Sequence, residues 1–151
     1  NEYRKKAKQV MSILAKAPYE KICSAREAEL VKYGRNCLGY IKIIFTNLLY
    51  DLAKELDVNW EVIREVMSAD PDTGHTYMNP IHKTGRGAGG HCFIKDFSAF
   101  IELYKKMVND QLGLSVLESI EEKNISLLKK TNKDLDILYG VYGKIKNKKK
   151  K

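Results

Sequence analysis

The chain lacks long hydrophobic runs and has few cysteines, and each shortage excludes a class of protein. No run of about 18 apolar residues and no signal-peptide pattern occurs in its 151 residues, so nothing in the sequence predicts a membrane protein. The three cysteines, Cys23, Cys37 and Cys92, are an odd number without Cys-x-x-Cys spacing. This pattern argues against a disulfide scaffold and for a reducing compartment, and we expect a cytoplasmic protein.

Positive charge is concentrated at one end of the chain. The net charge of +8 comes from 27 Lys and Arg against 19 Asp and Glu, but residues 144–151 hold six of the basic residues and no acidic one. The rest therefore carries 21 minus 19, or +2. We expect 144–151 to be a disordered, solvated tail and nucleic acid not to be a partner. The alternative, a nucleic-acid binder, predicts salt-dependent binding that vanishes without 144–151.

Apolar periodicity predicts a mostly α-helical protein built on one long central helix. Ser24 and Glu27 form a capping box that would start this helix, which runs to about residue 57. Pro18 would end the helix before it. The other predicted elements are helices over 3–16, 60–69, 92–107 and 114–131, a possible short extended piece at 21–23, and a strand over 135–143.

One face of the long helix is an apolar seam with spacings of three and four residues. A helix of some 30 residues spans about 45 Å, which is more than a small domain needs for itself. We therefore expect a homodimer through the helix over 24–57. The seam comprises Val31, Gly34, Leu38, Ile41, Phe45, Leu48 and Leu52.

Three polar residues of the same helix, Lys32, Asn36 and Asn47, lie near whole numbers of turns apart and so share a second face. Polar groups are costly if they are buried without partners. This face therefore either is a solvated stripe or lines a site, and both interpretations stay open.

The segment from Gly85 to Asp96 brings a cysteine off a glycine-rich loop to the start of a helix. There Cys92 would lie near unpaired N–H groups, which favour thiolate over thiol, with Asp96 one turn further on. A nucleophile beside a carboxylate suits covalent catalysis. The preceding loop, residues 70–91, is long enough to be functional.

Two other interpretations of this segment are open. The glycines at 85, 87 and 90 match the dinucleotide turn Gly-x-Gly-x-x-Gly, but residues 79–84 do not have the pattern of a buried parallel strand. A zinc site is also conceivable, although its spacing matches no familiar ligand pattern and we expect no metal. Its ligands would be His75, His82, His91 and Cys92.

Four motifs, in order and over about residues 20–105, resemble the UDP-glucose/GDP-mannose dehydrogenases, most closely their UDP-glucose 6-dehydrogenase branch. The motifs are Glu27-Ala28-Glu29-Leu30-Val31-Lys32-Tyr33-x-x-Asn36, Phe45-Thr46-Asn47, Asp70-Pro71 and Gly87-x-Gly89-Gly90-x-Cys92-x-x-Lys95-Asp96. The resemblance implies that 24–131 is a helical dimerisation domain between two Rossmann-like domains. Residues 1–23 would be the end of a truncated NAD-binding domain, and 132–143 the first strand of a truncated nucleotide-sugar-binding domain.

Enzymes of this family oxidise C6 of a sugar nucleotide twice with NAD. The resemblance implies that Cys92 is the nucleophile, forming a thiohemiacetal and then a thioester. Lys32 and Asn36 would stabilise the oxyanion, and Asp96 would activate or orient water. A fragment without the main NAD-binding domain should be inactive alone, and the alternative is a dimerisation scaffold without catalysis.

The resemblance also implies binding roles. Lys95 would approach the cofactor pyrophosphate, and the substrate would be a nucleotide sugar, with UDP-glucose the expected one. Mannose or an N-acetylhexosamine as the sugar, and guanosine as the nucleoside, stay open. The substrate-binding residues would be Tyr77, Gly85, Arg86, Gly87, Gly89 and Gly90.

Overall fold

Helices dominate the structure, a computed structural model that describes residues 2–143, so the mostly α fold class is confirmed. The predicted disordered tail, 144–151, lies outside the described residues. The helices are α1 (Glu2–Ser12), α2 (Ala25–Glu55), α3 (Trp60–Ala69), α4 (His91–Met107), α5 (Gln111–Lys130) and α6 (Leu135–Tyr142). The strands β1 (Ile81–His82) and β2 (Gly85–Arg86) form a small antiparallel hairpin. None of the described helices is apolar over a length that would cross a bilayer.

The chain divides into two compact units, residues 1–32 and residues 33–151. In the first, α1 ends at Ser12, earlier than predicted, where Ser12 Oγ donates to Gln9 O and Ile13 N donates to Val10 O in a tighter turn. The capping box is confirmed: Glu27 N donates to Ser24 Oγ (3.2 Å) and Ser24 N to Glu27 Oε2 (2.6 Å). Residues 21–23 form no strand.

The core of the second unit lies between α2, α4 and α5. The Tyr40 ring of α2 stacks on Phe97 of α4, with centroids 3.9 Å apart and planes within 3°. Around this pair lie apolar side chains from all three helices and the glycine-rich loop: Cys37, Ile44, Ala88, Ile101, Leu114 and Leu127.

The prediction of a strand over 135–143 is wrong, because residues Leu135–Tyr142 form α6. Helical spacing turns Leu135, Leu138 and Tyr142 towards α4 and α5, and Leu138 is fully buried against Ile94 and Leu128. Tyr142 also donates to Glu121 Oε1 of α5 (2.6 Å). Packing against two helices outweighs the local β propensity of the segment.

Two other predicted boundaries are informative. Asn59 Oδ1 accepts from Glu61 N (2.9 Å) and thereby caps α3, so the predicted start of this helix at residue 60 is confirmed. Helix α5 begins three residues before the predicted start at 114, because Asp110 caps it by accepting from Gly113 N (2.9 Å). Gly113 thus lies inside the first turn of α5.

We expect the buried thiol of Cys37 to lower stability at high pH. Burial, and next the negative charge of Asp96, raise its pKa from 9.0 to about 11. The folded state keeps a proton that the unfolded thiol loses near pH 9, so the stabilisation is complete below pH 9 and is lost as pH rises through about 11. The shift corresponds to about 2–3 kcal/mol.

Urea unfolding of the wild type and Cys37→Ser at about pH 8 and about pH 11 measures this effect. The difference in unfolding free energy between the two proteins should shrink at the higher pH, while Cys23→Ser, at an exposed thiol, should change nothing. An equal difference at both pH values would contradict the placement of Cys37.

Candidate functional site

The glycine-rich loop ends where α4 begins, and this junction presents Cys92. Gly90 is the N-cap residue with φ 82°, a left-handed conformation that favours glycine. Cys92 follows as the second residue of α4, and its thiol is free and exposed. The junction therefore offers an accessible sulfur at a helix N-terminus, as the sequence predicted.

Asp96 lies one turn further along α4, and its carboxylate is buried (1% exposed). Asn36 Nδ2 of α2 donates to Asp96 Oδ2 (2.7 Å), and Lys95 Nζ lies 3.2 Å from Asp96 Oδ1. The hydrogen bond to Asp96 raises the pKa of Lys95, with a smaller contribution from Cys92. The structure thus joins three of the predicted site residues: Asn36, Lys95 and Asp96.

The face of α2 predicted to carry Lys32, Asn36 and Asn47 is buried or half-buried where it belongs to the second unit. Cys37, Tyr40 and Ile44 lie on it beside Asn47, which is fully buried. Lys32 is exposed and belongs to the first unit, whereas Asn36 and Asn47 belong to the second. The role predicted for Lys32 stays a prediction.

Arg86, predicted to bind substrate, is held by α2. Its Nε donates to Asn47 Oδ1 (2.7 Å), and its Nη2 donates to Asn47 O (3.0 Å) and pairs with Asp51 Oδ1 (2.7 Å). The guanidinium also lies over the Tyr50 ring, 5.2 Å from its centroid. These contacts fix the hairpin against α2.

A cavity of about 450 Å³ lies next to the junction. Tyr77 and Phe93, whose rings meet edge to face with centroids 5.4 Å apart, form part of its wall. Four residues predicted to bind substrate line it: Tyr77, Gly87, Gly89 and Gly90. Its volume is within the usual range for small-ligand sites.

The other two interpretations of the loop do not match the structure. Gly85 lies in an antiparallel hairpin strand, not after the parallel strand that a dinucleotide turn requires. Within residues 2–143, no three His, Cys, Asp or Glu side chains are grouped so that they could hold a metal ion.

Sequence reasoning missed the residues that hold the loop, which are Asn124, Thr131, Lys133 and Asp134. Each makes a hydrogen bond to a backbone group of residues 85–90. One signal was available: Asn124 interrupts the apolar stripe of α5 between Ile120 and Leu127, where an unpartnered amide would be costly.

Most of the chain is similar to one family of known proteins. Residues 26–126 match the model of the UDP-glucose/GDP-mannose dehydrogenase family, central domain. UDP-glucose 6-dehydrogenase YwqF of Bacillus subtilis is 30% identical over 120 residues, covering 79% of this chain and 26% of the relative. UDP-glucose 6-dehydrogenase of Pseudomonas aeruginosa is 32% identical over 99 residues, covering 66% and 20%. The chain thus spans about a fifth to a quarter of these relatives.

We expect Asn36→Leu to destabilise the protein by about 1–3 kcal/mol, because the buried Asp96 carboxylate loses a hydrogen-bond donor. Urea unfolding measures the change. Asn109→Leu, at an exposed position outside the helices, is the matched control and should stay within about 0.5 kcal/mol of wild type. Equal stabilities of the two variants would show that the contact between Asn36 and Asp96 contributes nothing.

Proposed function

Because the chain belongs to the UDP-glucose/GDP-mannose dehydrogenase family through that family's central domain, we propose that it is part of an NAD-dependent nucleotide-sugar 6-dehydrogenase. The observation that carries the proposal is the junction at Gly90, where an exposed Cys92 lies in the first turn of the helix that also holds the buried Asp96 against Asn36. The relatives named UDP-glucose 6-dehydrogenase make UDP-glucose the first substrate to test. A cytoplasmic location fits this chemistry.

NAD, when bound, would accept a hydride from C6 of the sugar in each of two oxidations. Among the described residues the strands are limited to the β1–β2 hairpin, so the parallel sheet that binds a dinucleotide is not part of residues 2–143. Lys95, with its side chain 61% exposed beside Asp96, is the candidate contact for the cofactor pyrophosphate. We therefore expect the chain alone to have no turnover.

In the proposed mechanism Cys92 carries the second oxidation. After the C6 alcohol becomes an aldehyde, the Cys92 sulfur bonds to C6 and the carbonyl oxygen takes a proton, which gives a thiohemiacetal. Loss of a hydride from C6 and of the hydroxyl proton leaves a thioester. Water then attacks C6, the C–S bond breaks, and the products are the carboxylate and the Cys92 thiol.

Asn36 and Asp96 would assist these reaction steps. The Asn36 amide is a donor of the kind that stabilises developing negative charge on a carbonyl oxygen. The Asp96 carboxylate would orient or activate the attacking water. In this structure the two groups are hydrogen-bonded to each other, so a substrate oxygen would have to share or replace that bond.

The alternative, a dimerisation scaffold without catalysis, uses the outer face of α2. Its apolar residues Leu38, Phe45, Leu48 and Leu52 are 47–68% exposed in the single chain. A row of exposed apolar side chains along one helix fits a second copy of this helix, and the homodimer is proposed on this ground. The dimer is compatible with the enzyme, because the site lies on the buried face.

We expect Cys92→Ser to abolish acid formation in the protein rebuilt with its natural flanking sequence. The wild type should form two NADH per sugar with one of UDP-glucose, UDP-N-acetylglucosamine and GDP-mannose, measured by absorbance and product analysis. Cys23→Ser, at another exposed thiol, should keep both oxidations. Undiminished acid production by Cys92→Ser would rule out the proposed mechanism, and a wild type inactive with all three would favour the scaffold.

We expect Phe45→Glu to dissociate the homodimer, because a charge would replace an apolar side chain of the outer face that is 56% exposed in the single chain. Sedimentation velocity measures the change in oligomeric state. Leu112→Glu, at a position of α5 that is 78% exposed, introduces the same charge elsewhere and should leave the dimer intact. A wild-type chain that sediments as a monomer would refute the dimer itself.

A further inference from the structure

The glycine loop, residues 85–90, receives side-chain hydrogen bonds from a segment about 40 residues further along the chain. We propose that Asn124 and Lys133 are positioning residues for Cys92. Together with Thr131 and Asp134 they form a clamp, which fixes the glycine loop and thereby the start of α4. The clamp goes beyond the proposed mechanism, and rests on it only in that Cys92 is the nucleophile.

Asn124 holds both backbone groups of Ala88. Its Oδ1 accepts from Ala88 N (2.7 Å), and its Nδ2 donates to Ala88 O (3.0 Å). Both residues are buried, at 1% and 0% exposure. A Cβ at Gly87 would lie 2.8 Å from Asn124 Oδ1, so the glycine there is what admits the amide. The two peptide planes beside Ala88 are thus fixed by one side chain.

Lys133 holds the carbonyls on either side of Arg86. Its Nζ donates to Gly87 O (2.8 Å) and Gly85 O (3.4 Å), and the side chain is buried (4% exposed). Burying an ammonium group is costly unless it is hydrogen-bonded. In this protein the carbonyls of Gly85 and Gly87 accept those hydrogen bonds. The burial of the Lys133 ammonium group therefore depends on the conformation of the loop.

Asp134 connects the clamp to the start of α4. Its Oδ2 accepts from the amide of Gly90 (2.8 Å), the N-cap residue two positions before Cys92. The turn that presents these side chains has left-handed backbone at Asn132 (φ 53°) and Asp134 (φ 49°), which is uncommon outside glycine. That geometry brings Lys133 and Asp134 to the loop together.

The clamp also explains why Cys92 should be sensitive to residues that do not touch it. The thiol is exposed, so access does not limit its reactivity. What the first turn of α4 supplies is a fixed position for the sulfur, because Cys92 is the second residue of the helix. Loosening the loop would misalign this turn, so the reactivity of Cys92 should fall.

The test compares Lys133→Met with Lys133→Arg in the chain as it is. Lys133→Met keeps an apolar stem but removes the donor, and Lys133→Arg keeps charge and donors. Lys130→Met, at the exposed end of α5, is the matched control. Two quantities are measured: hydrogen exchange of the Ala88 and Gly90 amides, and iodoacetamide alkylation of Cys92 relative to Cys23 at neutral pH, with circular dichroism as the check on folding.

For Lys133→Met we expect exchange at Ala88 and Gly90 to rise, and the relative alkylation rate of Cys92 to fall, by about threefold to tenfold, the factor that one hydrogen bond is worth. Lys133→Arg should recover most of both effects, and Lys130→Met should show neither. A folded Lys133→Met with exchange and alkylation like those of Lys130→Met would overturn the proposal.

Two further outcomes are informative. If Lys133→Met does not fold, Asp134→Ala decides, because this residue is only half-buried and the variant removes the acceptor of the Gly90 amide. Unchanged Gly90 exchange would then overturn the clamp. If wild-type Cys92 alkylates no faster than Cys23, the nucleophile assignment fails, whereas the exchange data still report on the clamp.

Discussion

After β2, residues 87–90 of the glycine loop are buried or half-buried without a helix or a sheet to satisfy their backbone, and the rest of the site depends on how the chain meets this requirement. Ala88 is fully buried, and each unpaired peptide group there would cost about 1–3 kcal/mol. Helix α5 and the turn after it supply the missing partners through Asn124, Lys133 and Asp134. The start of α4 is therefore positioned by distant residues, not by its neighbours in sequence.

Helix α2 serves the site and the proposed dimer with opposite faces. On the buried face, Asn36 and Asn47 are polar residues that find partners in Asp96 and Arg86. Arg86 in turn fixes the hairpin that leads into the glycine loop. On the outer face, Leu38 and Phe45 are left exposed by the single chain. One long helix can thus hold the polar site with its buried face and contact a second copy with its outer face.

Local patterns in the sequence predicted the elements that local interactions determine. The capping box at Ser24, the start of α3 at residue 60 and the start of α4 within one residue of Cys92 depend on residues within four positions of each other, and all three are found. The predicted strand over 135–143 is wrong because the helical form of Leu135–Tyr142 depends on burial of Leu138 against two other helices. Within the segment, the helical spacing of Leu135, Leu138 and Tyr142 is a signature of that contact, but it competes with the local β propensity.

The same distinction applies to the site. Cys92 and Asp96 were predicted from their place after the glycine-rich loop and Asn36 from the family resemblance, and the structure joins Asn36 to Asp96. Lys133 was not predicted, because a lysine in a polar turn is ordinarily exposed and its partners are two carbonyls more than 40 residues earlier. Only the placement of the whole chain shows that this lysine is buried.

The buried polar groups also bear on the choice between enzyme and scaffold. A dimerisation module needs the outer face of α2 and an apolar core, and replacing buried charges with apolar groups is often neutral or stabilising. This chain instead buries Asp96 in its core and Lys133 beneath the glycine loop. Asp96 lies one helical turn after Cys92, and Lys133 contacts the loop that precedes Cys92. A scaffold has no need of a buried loop that requires such support, whereas the proposed nucleophile, Cys92, would have to be held at a fixed position.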